Sequence, residues 1–154
     1  MTTRPAPAIR RARPGDVGAL LDLERHFPGD RMSRPSLRRL LRRPSASVWV
    51  AQAPDRTLLG ALILLTRVNT SVARIYSLVV APQARGQGIA QRLVQAAERA
   101  ARRGGRQTMS LEVRVDNQAA RALYARLGYQ EQMLLLDYYE DGAEGIRLRK
   151  ALSR

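Results

Sequence analysis

The 154-residue chain contains no cysteine and a single histidine, and both scarcities remove chemistry. Without cysteine there is no disulfide framework, no thiolate zinc site and no thiol nucleophile to carry an acyl group, so any acyl transfer is direct or uses another nucleophile. With only His26, a Ser-His-Asp triad or a multi-histidine metal centre would have to be built around one ring, which sits in the loop-like segment HFPGD. No metal site is expected. Aromatics make up 5% of residues, too few for an obvious base-stacking platform. Long apolar runs are missing as well. The longest, Leu58 to Leu65, contains Gly60 and falls short of the roughly 18 residues of a membrane helix, so no membrane partner is expected. The first residues are basic but lack the apolar stretch of a secretory signal, which suggests an untargeted cytoplasmic protein.

Charge is what the chain has in excess, with a formal net value of +14. All 27 basic residues except Lys150 are arginine, and they are spread along the whole chain. General attraction to acidic molecules follows; a dedicated nucleic-acid function does not, and a basic nucleic-acid-binding module stands as an alternative of another class. A hydrophobic content of 45% over this length suffices for one core, so residues 1–154 are expected to form a single domain.

The periodicities predict an α/β (α+β) chain. Ala8 to Ala12 reads as a strand, and Pro14 with Asp16 starts a helix with Val17, Leu20, Leu21 and Leu23 at helical spacing. A second helix fits Ser36 to Arg42, its arginines reading as a solvated face. Strands follow at Ser47 to Ala53, Leu58 to Thr66 and Arg74 to Ala81, the last closed by Pro82. From Gly88 to Arg103 the positions Ile89, Leu93, Val94, Ala97 and Ala101 mark a helix stopped by Gly104 and Gly105. Thr108 to Val115 alternates, with Met109, Leu111, Val113 and Val115 on one face and Ser110, Glu112 and Arg114 on the other. Asp116 or Asn117 can cap a helix over Gln118 to Leu127. Strands at about Tyr129 to Tyr138 and Ile146 to Leu152 flank the acidic loop at 140–144. The order describes a mixed sheet with helices on both faces.

Chemistry concentrates between Leu78 and Ala90. Gly86 and Gly88 stand between a strand end and a helix start, where backbone N–H groups of Gly86, Gln87, Gly88, Ile89 and Ala90 can face a phosphate or pyrophosphate at the positive end of the helix. Glycine lets that backbone come close, and Arg85 adds a charge at the rim. Gln91 stands where a dinucleotide fingerprint has its third glycine, and no Gly-Lys-Ser/Thr follows, so neither a Rossmann nor a nucleoside triphosphate loop fits. A tight turn without a ligand is the alternative.

The run Arg85-x-x-Gly88-x-Ala90 after a strand ending ValAlaPro resembles the acyl-CoA signature of the GNAT superfamily. Residues 111–129, LeuGluValArgValAspAsnGlnAlaAlaArgAlaLeuTyrAlaArgLeuGlyTyr, are similar to the strand-helix segment that follows that signature in RimI-type protein N-terminal acetyltransferases. The similarity runs from about residue 75 to the end. It implies a mostly antiparallel sheet of six to seven strands, splayed at the acyl-CoA site between the strands at 74–81 and 108–115, with acetyl-CoA as donor substrate. In such a site the backbone of Leu78, Val79 and Val80 would meet the pantetheine and residues 85–90 the diphosphate. Asn117 would lie in the cofactor region, and Tyr124 would face the thioester sulfur. The position of Glu112 is the general base in RimI-like members. Pro28 is followed by Gly29 where that group commonly carries Trp, a departure that argues against carrying over the ribosomal-protein substrate.

Direct acetyl transfer needs a neutral amine, close approach to the carbonyl and a way to stabilise the departing thiolate, in a sequential reaction without a covalent enzyme intermediate. Glu112 can take the ammonium proton directly or through water; the competing reading is a glutamate salt-bridged beside Arg114. Tyr124 can give its phenolic proton to the thiolate, or pack with Leu123 and Leu127. Asn117 can cap its helix, contact the cofactor, or do both. Glu24, Tyr138 and Tyr139 are candidates to receive the acceptor, a protein or peptide N-terminus or a small amine; Glu140, Asp141 and Glu144 read as a solvated turn. A fold that binds acyl-CoA without catalysis is the remaining alternative. Monomer and homodimer are both compatible with the sequence.

Overall fold

The computed structural model describes residues 6–26 and 32–152. Pro28 and Gly29 lie outside these residues. The elements are β1 Ala8–Arg11, α1 Val17–Glu24, α2 Arg34–Arg42, β2 Ala46–Gln52, β3 Leu58–Leu65, β4 Val72–Val80, α3 Ile89–Arg103, β5 Thr108–Arg114, α4 Gln118–Arg126, β6 Gln130–Leu135 and β7 Gly145–Ala151. The strands form one sheet in the order β1-β2-β3-β4-β5-β7-β6. Among the described residues only β4 and β5 run parallel, and α3 supplies the crossover that a parallel pair requires.

Local chemistry explains the element starts. Ser33 caps α2, its Oγ accepting from the N–H of Ser36 at 3.2 Å, and Pro35 fits the first turn where no helical donor is needed. The helix therefore begins two residues earlier than periodicity alone predicts. Before α1, Asp16 accepts from the Arg13 N–H at 2.6 Å and from both terminal nitrogens of Arg10 at 2.9 Å, tying β1 to the helix start. The Arg10 guanidinium holds the Asp16 carboxyl below the usual carboxylate range.

The core lies on both sides of β2 and β3. Residues Ile89, Leu93, Val94, Ala97 and Ala101 of α3 are all buried, as their spacing predicts. A Cβ at Gly60 would come within 3.1 Å of Leu93 Cδ1 and 3.2 Å of Ile89 Cγ2, so the missing side chain lets α3 settle on β3. Residues of opposite parity, Val48, Val50, Ala61 and Ile63, are equally buried, on the face left to α1 and α2. Each fully buried aliphatic side chain contributes about 1.5–3 kcal/mol relative to exposure, and this two-sided core makes a rigid base for the strands beyond β3.

The expected strand Tyr129 to Tyr138 is shorter than predicted. β6 ends at Leu135, because Asp137 turns the chain with φ of 50° and Tyr138 donates its N–H to Ala143 rather than to β7. Tyr138 and Tyr139 thereby sit on a loop instead of a strand. Gly145 makes room for them: a Cβ there would meet Tyr138 at 3.1 Å and Tyr139 at 3.3 Å.

Candidate active site

The strands β4 and β5 pair from Val72 with Thr108 to Ile75 with Leu111, and there the pairing stops. On its other edge β4 slips register against β3: Ser77 faces Ile63 and Ile75 faces Leu64, leaving Tyr76 as the additional residue of a β-bulge. A bulge bends its strand, and this one falls where β4 leaves β5. From Tyr76 to Val80 the strand is hydrogen-bonded to β3 alone, so its second edge opens into the gap.

That gap is a cavity of about 500 Å³. Leu78, Val79, Val80, Arg85 and Ala90 line one side of it; Glu112, Asn117, Tyr124 and Tyr139 line the other. The structure thus brings together most residues that sequence reasoning singled out from distant positions. Gly86 and Gly88 lie in the turn between two of the lining residues, Arg85 and Ala90. Their φ values of 79° and 76° lie in the left-handed region, and nothing stands within 4 Å of where a Cβ would be on either. The first helical bond of α3 is donated by Arg92 to the Gly88 carbonyl, so the N–H groups of Ile89 and Ala90 come ahead of the helical ladder. Two side chains of this segment go elsewhere. Ile89 is 2% exposed in the core, and Gln87 lines a separate cavity beside Pro7 and Ala53, so only their backbones can serve a ligand at the turn.

On the opposite wall Asn117 accepts from the Ala120 N–H at 3.1 Å, capping α4 while its side chain also lines the cavity. Tyr124, about two helical turns beyond Asn117, is 4% exposed. Burial pushes its phenol well above the usual tyrosine range, which favours the protonated, hydrogen-bond-donating form. The ring is held edge-on by Tyr129, with centroids 5.3 Å apart. Tyr129 in turn donates its hydroxyl to Glu98 at 2.8 Å, and Lys150 reaches the same carboxylate at 3.1 Å. Sequence reasoning missed this support. The signal was available: Val94, Glu98 and Ala101 share one helical stripe, and Glu98 is a carboxylate on an apolar face.

Glu112 is nearly enclosed, with its side chain 7% exposed. The competing reading, a salt bridge to Arg114, does not hold: the partners of Glu112 are other arginines. Arg74 approaches it at 2.6 Å and Arg147 at 3.5 Å, and the Tyr138 hydroxyl donates to it at 3.4 Å. Arg147 is the cross-strand partner of Glu112, whereas the Arg114 guanidinium is taken by Asp116 and Asp141. Glu112 also lines a second cavity, of about 720 Å³, with Tyr138 and Arg74. It is the residue at which the two cavities share a chemically competent carboxylate.

Tyr138 and Tyr139 meet edge-on at 5.0 Å, one lining each cavity, and Arg114 lies 5.2 Å above the Tyr139 ring. Burial raises the Tyr139 phenol above its ordinary value. Glu24 is placed apart from both cavities, its carboxylate accepting from the Met32 N–H at 3.2 Å. Among the described residues no cluster of three or more His, Cys, Asp or Glu could hold a metal, and no helix is long and apolar enough to cross a membrane.

Comparison with known proteins gives the same picture. The profile of the acetyltransferase (GNAT) family matches residues 18–129. N-alpha-acetyltransferase 30 of Schizosaccharomyces pombe is 37% identical over 102 residues, covering 64% of this chain and 67% of the yeast protein. Other curated relatives are matched over 40% to 58% of their length. Among solved structures, the ribosomal-protein-S18-alanine N-acetyltransferase of Escherichia coli superposes with a TM-score of 0.83 at 22% identity, covering 96% of this chain and 94% of that one. The NatC complex bound to Gag peptide and CoA superposes at 0.82 with 20% identity, covering 97% and 100%. A seven-stranded sheet that parts at β4 and β5, a glycine turn before α3 and a family match over residues 18–129 lead to one assignment: the chain belongs to the GNAT acetyltransferase family.

Proposed function

We propose that this protein transfers an acetyl group from acetyl-CoA directly to a primary amine, and that the amine is the N-terminus of a peptide or protein. The single observation that carries the proposal is the position of Glu112, shared between the cleft beside β4 and the larger cavity beyond it. A donor in the first and an acceptor in the second would meet at that residue.

The chain's own groups fit the donor. The backbone at Gly86 to Ala90 presents unpaired N–H groups at a helix start, suited to a diphosphate, with Arg85 on the cavity wall. The open edge of β4 at Leu78 to Val80 offers strand-like hydrogen bonds to an extended amide-bearing arm. Acetyl-CoA supplies the thioester. Glu112 takes a proton from the acceptor ammonium, the amine nitrogen bonds to the acetyl carbon, and the carbon–sulfur bond breaks. Tyr124, kept protonated by burial, gives its proton to the leaving sulfur and is reprotonated by the second proton that the nitrogen sheds as the amide forms. Asn117 orders the start of α4 and so the height of Tyr124. The preference for an N-terminus rests on the curated relatives and on an acceptor cavity open enough for a chain.

The test is to incubate the protein with acetyl-CoA and a panel of peptides and small amines while recording released thiol. The chain has no cysteine, so the signal carries no background from the protein. Thiol release that requires a peptide N-terminus supports the reading. Release only with small amines would move the acceptor class, and none with any amine would leave an acyl-CoA-binding module.

A further inference from the structure

Five arginines, Arg43, Arg67, Arg74, Arg147 and Arg149, line the second cavity, and its one acid is Glu112. Three of these arginines are set by the sheet itself. Arg147 is the cross-strand partner of Glu112; Arg74 and Arg149 flank Ser110 from the two sides. Registered partners point to one face of a sheet, as do residues two apart on a strand, so all three arginines share the face of the Glu112 side chain. Arg149 and Arg67 are exposed and form no ion pair among the described residues, while Arg43 reaches only the Ser45 hydroxyl.

Such a bed disfavours a cationic acceptor. An N-terminal amine arrives mostly as ammonium, and its approach to a surface with this excess of guanidinium groups is opposed unless the acceptor carries negative charge of its own. We infer that the acceptor is an acidic peptide N-terminus, with carboxylates on its second and third residues that dock on Arg149, Arg147 and Arg74. This inference rests on the proposed acetyl transfer and specifies its substrate class.

The distances agree. Strand spacing of about 4.8 Å and a rise of about 3.3 Å per residue put the Arg149 backbone roughly 8 Å from that of Glu112. An extended peptide advances about 3.3 Å per residue, so an amine at Glu112 places its second or third side chain near Arg149. Arg74 and Arg147 are engaged by Glu112 itself. A carboxylate from the acceptor gives them another partner and leaves the Glu112 oxygens to the amine. A nucleic acid fits less well, because Tyr138 is the one aromatic ring in the lining and stacking needs more.

The experiment compares kcat/KM for peptides that share one N-terminal residue and carry acidic, neutral or basic residues at positions two and three. Coenzyme A affinity is measured in parallel by calorimetry. Charge-assisted pairs predict about a tenfold or greater preference for the acidic peptide over the neutral one, shrinking as salt is added. Arg149→Glu, and separately Arg67→Glu, should each erode that preference while coenzyme A affinity holds. Both side chains are exposed, so neither substitution burdens the core. Equal rates for all three peptides, or a preference unmoved by both substitutions, would overturn the inference and leave acetyl transfer standing. Absence of coenzyme A binding would instead remove the proposed function itself. An oligonucleotide that binds the wild-type protein and is not displaced by the acidic peptide would assign the arginines to nucleic acid and also overturn the inference.

Discussion

The strands β4 and β5 behave as two different structures along their length. In the half where they pair, Ala73 and Met109 are fully buried and Ile75 and Leu111 are 4% and 2% exposed. In the half where they part, Tyr76 is 55% exposed and Ser77 to Val80 are half-buried against open space. Sequence composition changes little across the boundary; what changes is the supply of backbone partners. The closed half satisfies its polar groups within the sheet, and the open half holds a strand edge ready for a ligand. The glutamates repeat the contrast. Glu98 is sealed beneath the sheet by Tyr129 and Lys150, whereas Glu112 is paired with arginines at the junction of two cavities. The first is committed to structure, and the second can exchange partners.

Substitutions can break this contrast from either side. Met109→Ala, in the closed half, should cost about 2–5 kcal/mol of stability through the cavity it leaves, measured by urea denaturation, while coenzyme A affinity in the folded fraction is unchanged. In the open half the pattern should invert. Tyr124→Phe should lower turnover about a hundredfold with acetyl-CoA affinity nearly intact; equal losses of both would make the hydroxyl a binding group. Gly88→Ala should weaken coenzyme A binding and cost about 1–2 kcal/mol, because φ there is 76° and strain rather than crowding is the obstacle. Calorimetry and thermal melting separate the two effects. Alkali offers a subtler probe. Burial raises the folded-state phenols of Tyr124 and Tyr129 above their ordinary 10.0, so the stability they confer is complete below that pH and lost as the pH rises past it. Denaturation on either side of 10.0 should show the fall. Arg114→Ala should leave the melting temperature unchanged, since its pairs with Asp116 and Asp141 are solvent-exposed.

How much of this was legible in the sequence follows from range. The α3 stripe, the Asn117 cap and the glycine turn are local patterns, and the structure places each where periodicity and turn chemistry put them. The resemblance carried Glu112 and Tyr124 to the same cleft. What escaped depends on contacts between distant segments: Arg74 on Glu112 is 38 residues away, and Lys150 on Glu98 is 52. The Tyr76 bulge exists only as a slip against β3, and the early end of β6 comes from the backbone of Asp137, a residue that a run of apolar neighbours disguised. Glu98 was hidden differently. Its spacing places it on the buried stripe of α3, where a carboxylate needs partners, and Tyr129 and Lys150 come from distant segments to supply them.

The most direct test of the open cleft is hydrogen exchange at single amides with and without acetyl-CoA. Binding as described predicts new protection at Gly86 to Ala90 and along Leu78 to Val80, with the amides of Ala73 and Met109 unchanged. Exchange at the turn and strand edge that is identical in both conditions would contradict the account.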